Sequence, residues 1–236
     1  MRIALLETAP PEPDFDARFG SWARIFDALL ADPALELVPY AAWRGVLPRV
    51  TDADATLVPG GLASANDDAP WIDALLAHLR AVHAAGQPLV GICFGHQVVA
   101  RALGGQVTRR PPAGPDDGFV LGVRPVNWLA GPLAGRTTRV YMSHHDEVTA
   151  LPPGATHLAT NGHACVQAYA LGRTLGIQGH PELTPDVSRH YLHKNAIGVD
   201  AETIARAERS LDDGDDHGVV ARLVHDWFTD TPSPPP

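Results

Sequence analysis

Leu89-Val90-Gly91-Ile92-Cys93-Phe94-Gly95-His96-Gln97-Val98-Val99-Ala100-Arg101-Ala102-Leu103-Gly104-Gly105 decides how the rest of the chain is read. Leu89 to Ile92 is a short apolar run of the kind a buried parallel strand shows. From Gln97 to Leu103 the spacing turns helical, with Val98, Ala102 and Leu103 on one face, and Gly104-Gly105 supplies a stop. Cys93 stands at the junction between Gly91 and Gly95. Strand, tight turn and helix with a nucleophile at the apex is the elbow of G-x-S-x-G, built here on sulfur. The glycines let two backbones approach where a Cβ would clash. The helix N-terminus beside the sulfur favours thiolate over thiol. A lone Cys behind an apolar strand is ordinarily a small buried hydrophobe. The glycine frame and the helix that follows point to a nucleophile instead.

A second stretch, Thr174-Leu-Gly-Ile-Gln-Gly-His-Pro-Glu182, supplies the groups a thiol nucleophile needs. Leu175 to Gln178 is expected to be a strand. His180 and Glu182 lie two apart, so an extended backbone would send both to one side. Pro181 disfavours helix at His180. An imidazole beside a carboxylate is what a general base and its orienter require.

Together, Gly-Ile-Cys-Phe-Gly-His-Gln and Gly-His-Pro-Glu resemble the two signatures of class I (triad-type) glutamine amidotransferase domains, in particular the stand-alone group similar to the glutaminase domain of GMP synthase. The resemblance runs from Arg2-Ile-Ala-Leu-Leu-Glu-Thr to the helices after Glu182. It implies a triad of Cys93, His180 and Glu182. It also implies an oxyanion loop at Gly60-Gly61, with the N–H groups of Gly61 and Phe94 on the tetrahedral oxygen, and a substrate contact from Gln97. The stretch Arg139-Val-Tyr-Met-Ser-His-His-Asp-Glu-Val148 matches the family's strand facing the nucleophile, which assigns Ser143, His144 and His145 to the amino-acid end of glutamine. Three departures stand out. Val120 replaces a usual acidic residue at the pocket rim, His145 replaces Gly or Gln, and Gly179 replaces an aromatic and is expected to loosen the His loop and open the pocket.

The remaining chain gives the framework. Strands are expected at Ile3–Leu6, Leu35–Val38, Ala55–Val58, Val120–Val126, Leu158–Thr160 and Cys165–Tyr169, alternating with helices. Helices are expected at Phe19–Leu30, Pro70–Ala85, Pro185–His193 and Asp200–Arg209, and Val219–Phe228 is expected to close the core. That order predicts a three-layer α/β fold: a mostly parallel central sheet, helices on both faces, and a smaller antiparallel β element. Residues 1–230 form one domain in this reading, and 231–236, rich in proline, are a disordered tail. Trp22, Ile25, Phe26 and Leu29 have core spacing, and Cys165, without an elbow or a nearby base, is structural.

The 236 residues carry a formal charge of −9, which argues against a nucleic-acid surface. No stretch approaches a membrane span, and residues 1–30 lack a signal-peptide layout. Two cysteines make a disulfide framework unlikely and a reducing cytoplasm the default. His144 and His145 are consecutive, so an extended chain sends their rings to opposite faces, and no partner cluster has ligand spacing; no metal and no cofactor are expected. Arg109-Arg-Pro-Pro-Ala-Gly-Pro-Asp-Asp-Gly118 is expected to be a solvated loop.

In this reading the amidotransferase-like fold takes up nearly the whole chain, and no ATP-using synthetase domain is expected within it. Two enzymatic readings follow. One is a glutaminase that releases ammonia to a separate synthetase or acceptor subunit. The other is a stand-alone hydrolase of γ-glutamyl peptides or amides. A catalytically silent regulator on the same fold is the third, and nothing in a binding module would require Cys93, His180 and Glu182 together.

Overall fold

Alternate residues of strand β1 (Arg2–Leu6) enter two different cores, which sets the layering of the whole molecule. Ile3 and Leu5 pack with Phe26, Val224 and Phe228, whereas Ala4 and Leu6 pack with Ile72, Leu75 and Leu79. A two-residue period with both phases apolar is the signature of a strand covered on both faces. The computed structural model describes residues 1–111, 118–162, 164–195 and 199–229. The expected tail at 231–236 and most of the Arg109–Gly118 loop lie outside the described residues.

After β1 come helices α1 (Pro13–Phe19) and α2 (Trp22–Leu30), strands β2 (Glu36–Tyr40) and β3 (Ala55–Val58), and α3 (Pro70–Ala84). The elbow follows as β4 (Leu89–Ile92) and α4 (Phe94–Ala102), then β5 (Gln106–Arg109), β6 (Val120–Trp128), β7 (Thr137–His144) and β8 (Asp146–Ala150). The chain continues through β9 (Thr156–Thr160), β10 (Ala168–Leu171) and β11 (Thr174–Ile177) into α5 (Pro185–Asn195), α6 (Ala201–Asp212) and α7 (His217–Thr229).

The central sheet has nine strands in the order β2-β1-β3-β4-β11-β10-β9-β6-β7. From β2 to β11 neighbouring strands are parallel, and β10, β9, β6 and β7 extend the sheet with antiparallel pairs. A separate two-stranded antiparallel sheet pairs β5 with β8. Helices α2 and α7 cover one face and α3 and α4 the other. A third cluster, built from Phe15, Leu121, Val123, Tyr141, Val187, Tyr191 and Leu211, seats α1, α5 and α6 against β6 and β7.

The expected helix over Phe19–Leu30 is two helices. Gly20 takes φ 87°, and the Ser21 hydroxyl accepts from the Arg24 N–H to cap α2. A left-handed glycine followed by a capping serine ends one helix and begins another. Trp22 therefore opens a helix instead of lying mid-stripe. Strand β5 was not expected; only Val107 of its four residues is buried, so its apolar signal is one residue deep.

Candidate active site

Cys93 occupies a backbone conformation that side chains avoid, with φ 53° and ψ −107°. Among the described residues, only Ala31 shares a positive φ without being glycine. Such a residue costs on the order of 1–3 kcal/mol and persists where its surroundings over-determine it. Here they do. The Cys93 N–H donates to the Ile177 carbonyl at 2.9 Å, its carbonyl accepts from the Gln97 N–H at 3.1 Å, and the Gly95 N–H donates to Pro59 at 3.1 Å. A Cβ on Gly91 would lie 2.4 Å from the Gly95 carbonyl oxygen, and one on Gly95 would lie 2.0 Å from that of Val58. The turn closes only with glycine on both sides.

Strands β4 and β11 run parallel with Ile92 opposite Ile177, so the two chains leave the sheet together. Cys93 follows one of them and His180 the other. The His180 N–H donates to the Tyr141 carbonyl at 2.9 Å, which ties the loop to β7. Pro181 and Glu182 form a turn, not the extended segment expected, and Glu182 Oε1 reaches His180 Nδ1 at 2.8 Å across it. His180 Nε2, the ring nitrogen not taken by Glu182, is buried. Burial alone would push the imidazole pKa down; the facing Cys93 and Glu182 outweigh it and raise it well above the usual value.

Gly60 sits between the two reactive groups. A Cβ there would come within 2.9 Å of His180 Cε1 and 3.6 Å of Cys93 Cβ. The Thr8 hydroxyl donates to the Gly60 carbonyl. In a trans peptide the carbonyl and the next N–H point opposite ways, so this bond turns the Gly61 N–H away from Thr8. Neither that N–H nor the N–H of Phe94, first residue of α4, is spent on a backbone partner outside the regular elements.

The β7–β8 corner closes the other side. Cys93 Sγ lies 3.8 Å from the Ser143 carbonyl oxygen. His144 is buried, its Nδ1 3.0 Å from the Asp146 carbonyl, and burial lowers its pKa to about 3, leaving a neutral ring. His145 stacks on Phe119 with ring centroids 4.2 Å apart, and burial together with Arg109 pushes its pKa down. The Gln97 side-chain amide donates to the Asp146 carbonyl at 2.7 Å and to Gln178 Oε1 at 3.1 Å, so its nitrogen braces α4 against β8.

These groups line one cleft of about 490 Å³. It holds Cys93, His180, Glu182, Gly60, Gly61, Gln97, Ser143, His144 and His145. Phe94 is not among the residues that line it; its side chain lies against Trp71 in the core. The cleft also takes in residues that sequence reasoning left out: Thr8, Ser64, Asp146, Trp22, Tyr191, Glu12 and Lys194. Asp146 accepts from the Ser64 hydroxyl at 2.5 Å. The Gly20-Ser21 break just before Trp22 was the available signal for it.

Two departures do not act at the pocket. Val120 is fully buried in the core and does not line the cleft. A Cβ on Gly179 would lie 2.9 Å from Val140 Cγ1 and 3.0 Å from Met142 Cε, so β7 packs into the space of the missing side chain and no opening results. Cys165 is exposed rather than part of the core. Among the described residues, no group of three or more His, Cys, Asp or Glu side chains is arranged to hold a metal ion, and no helix is long and apolar enough to cross a membrane.

The family model for class-I glutamine amidotransferases matches residues 34–199, a span that includes the elbow and the His180 turn. The chain is a member of the class-I glutamine amidotransferase family. Among curated members, gamma-glutamyl peptidase 4 of Arabidopsis thaliana is 31% identical over 78% of this chain and 76% of that protein. The glutamine-hydrolysing GMP synthase of Thermomicrobium roseum is 29% identical over 95% of this chain, which spans only 47% of that protein. A solved glutamine amidotransferase from Thermotoga maritima superposes with a TM-score of 0.72 at 17% identity, covering 97% of this chain and 98% of that one. That likeness is one of fold.

Proposed function

We propose that this amidotransferase hydrolyses the γ-amide of glutamine through a γ-glutamyl thioester on Cys93 and releases ammonia. The observation that carries the reading is the meeting of Cys93, His180 and Glu182 around Gly60. The raised His180 pKa suits an imidazolium beside a thiolate, the reactive form of a Cys–His pair. The thiolate attacks the γ-carbonyl, and its oxygen takes up negative charge against the Gly61 and Phe94 N–H groups. Collapse breaks the C–N bond as His180 Nε2 protonates the departing amine. The now neutral imidazole removes a proton from water, which attacks the thioester. Glutamate leaves, and the thiolate–imidazolium pair is restored.

At the β7–β8 corner the charges suit an α-amino acid. Asp146 offers a carboxylate to an α-ammonium group, and Arg109, its register partner on β5, offers a cation to an α-carboxylate. Ser143 and the neutral His144 complete that end. A separate synthetase-type subunit that accepts ammonia is the partner this reading implies.

A second reading has its own support. The cleft volume lies in the range that holds drug-sized ligands, wider than glutamine needs. Larger γ-glutamyl amides then become substrates of a stand-alone hydrolase, and the match to a gamma-glutamyl peptidase over most of its length favours this. The test is steady-state release of ammonia or amine from glutamine and from γ-glutamyl dipeptides by the purified protein and by Cys93→Ala. Activity lost in Cys93→Ala and kept in Cys165→Ala supports the chemistry. Activity kept in Cys93→Ala sinks it.

A further inference from the structure

Nucleophile and base give the cleft a direction. The glutamyl part lies toward Asp146 and Arg109, and the departing amine must lie on the side of its proton donor, His180. Leu183, next to Glu182 in the chain, packs in one apolar cluster with Tyr191 and Trp22, and all three line the cleft. The Trp22 and Tyr191 rings stack with centroids 5.7 Å apart and planes 29° apart, and Phe15 backs both at 5.2 Å. The cation on this side, Lys194, is paired with Glu12 and lies 5.7 Å over the Tyr191 ring. Glu7 adds a second, half-buried carboxylate to the same side.

An aromatic platform with its lysine already engaged and a surplus of carboxylates favours flat apolar groups and disfavours anions. We infer that, beside ammonia from glutamine, this enzyme releases an arylalkylamine without a carboxylate, its ring seated on Trp22 and Tyr191. This rests on the γ-glutamyl reading above and narrows it. A γ-glutamyl amino acid would bring its own carboxylate against Glu7 and Glu12, whereas a γ-glutamyl arylalkylamide brings none.

The experiment compares kcat/KM of the full chain on glutamine, γ-glutamyl ethylamide, γ-glutamyl 2-phenylethylamide and γ-glutamylphenylalanine. The expected result is a preference for the phenylethylamide of at least roughly tenfold over both the ethylamide and γ-glutamylphenylalanine. Trp22→Leu, which keeps an apolar side chain against Phe15 and Phe26 but removes the ring, should cut the phenylethylamide-to-ethylamide ratio by roughly tenfold. Equal kcat/KM values, a preference for γ-glutamylphenylalanine, or a ratio unchanged in Trp22→Leu would overturn the inference, while turnover of glutamine and of any γ-glutamyl amide leaves the γ-glutamyl reading standing. Turnover of none of the four by folded protein would overturn both.

Discussion

Glu182 Oε1 lies 2.8 Å from His180 Nδ1, so Nε2 is the nitrogen left to face Cys93. Both side chains are buried, and Cys93 and the Glu182 carboxylate both raise the pKa of the ring. Glu182→Gln keeps a hydrogen-bonding group but removes the carboxylate. The His180 pKa then falls, and the alkaline limb of the kcat/KM–pH profile moves to lower pH. The rate drops roughly 10²–10⁴-fold, as when a triad loses its orienting acid. An unmoved limb would show that Glu182 does not act on the imidazole.

Gly60 and Gly95 separate function from folding. Gly60→Ala sets a methyl 2.9 Å from His180 Cε1, at the end of a side chain, and should cost at least about 10²-fold in kcat/KM by displacing the ring. Its thermal unfolding should stay close to that of the parent. Gly95→Ala drives a methyl to 2.0 Å from the Val58 carbonyl oxygen, which is backbone, and should fail to give folded protein. Circular dichroism and melting curves of the two variants check this, and a stable, active Gly60→Ala would contradict it.

Thr8 acts through the Gly60–Gly61 peptide. Thr8→Val removes the hydroxyl that holds the Gly60 carbonyl and frees the peptide to rotate. The loss should fall on kcat, roughly 10- to 10²-fold, with KM little changed, because the oxyanion exists only in the transition state. Thr8→Ser should restore most of it. A rise in KM alone would assign Thr8 to substrate binding.

His96 and His144 make the fold acid-sensitive. Burial lowers both pKa values from the ordinary 6.5 to about 3. In the unfolded chain these rings take up protons below about pH 6.5, while the native state refuses them until about pH 3. Stability is therefore lost as pH falls through that window, by about 1.4 kcal/mol per pH unit for each ring. Urea melts at pH 7 and 5 should show the loss, and His96→Phe, which keeps the ring against Tyr169, should reduce the slope. An unchanged slope would remove His96 from this account.

The elbow was legible in the sequence because its requirements are local: two glycines, an apolar strand and a helix start lie within a few residues of Cys93. The His180–Glu182 pair was legible as a pair, but its geometry was not. A turn at Pro181, not an extended strand, brings the two together. Trp22 was hidden because its apolar spacing is continuous with that of Ile25 and Phe26, and only the cap at Ser21 separates a cleft wall from a core stripe. Gly179 and Val120 misled for a related reason. Their meaning depends on Val140 and Met142, contributed by β7 from some forty residues away for Gly179. Long-range packing leaves no mark in the spacing of a single segment.

The account stands or falls on a covalent glutamyl group at Cys93. Acid-quenched protein taken during turnover of glutamine, digested and analysed by mass spectrometry, should carry one glutamyl residue on the peptide containing Cys93, and none in Cys93→Ala. Steady turnover with no acylated Cys93, in a sample where the adduct survives the quench as judged by a γ-glutamyl thioester standard, would contradict it.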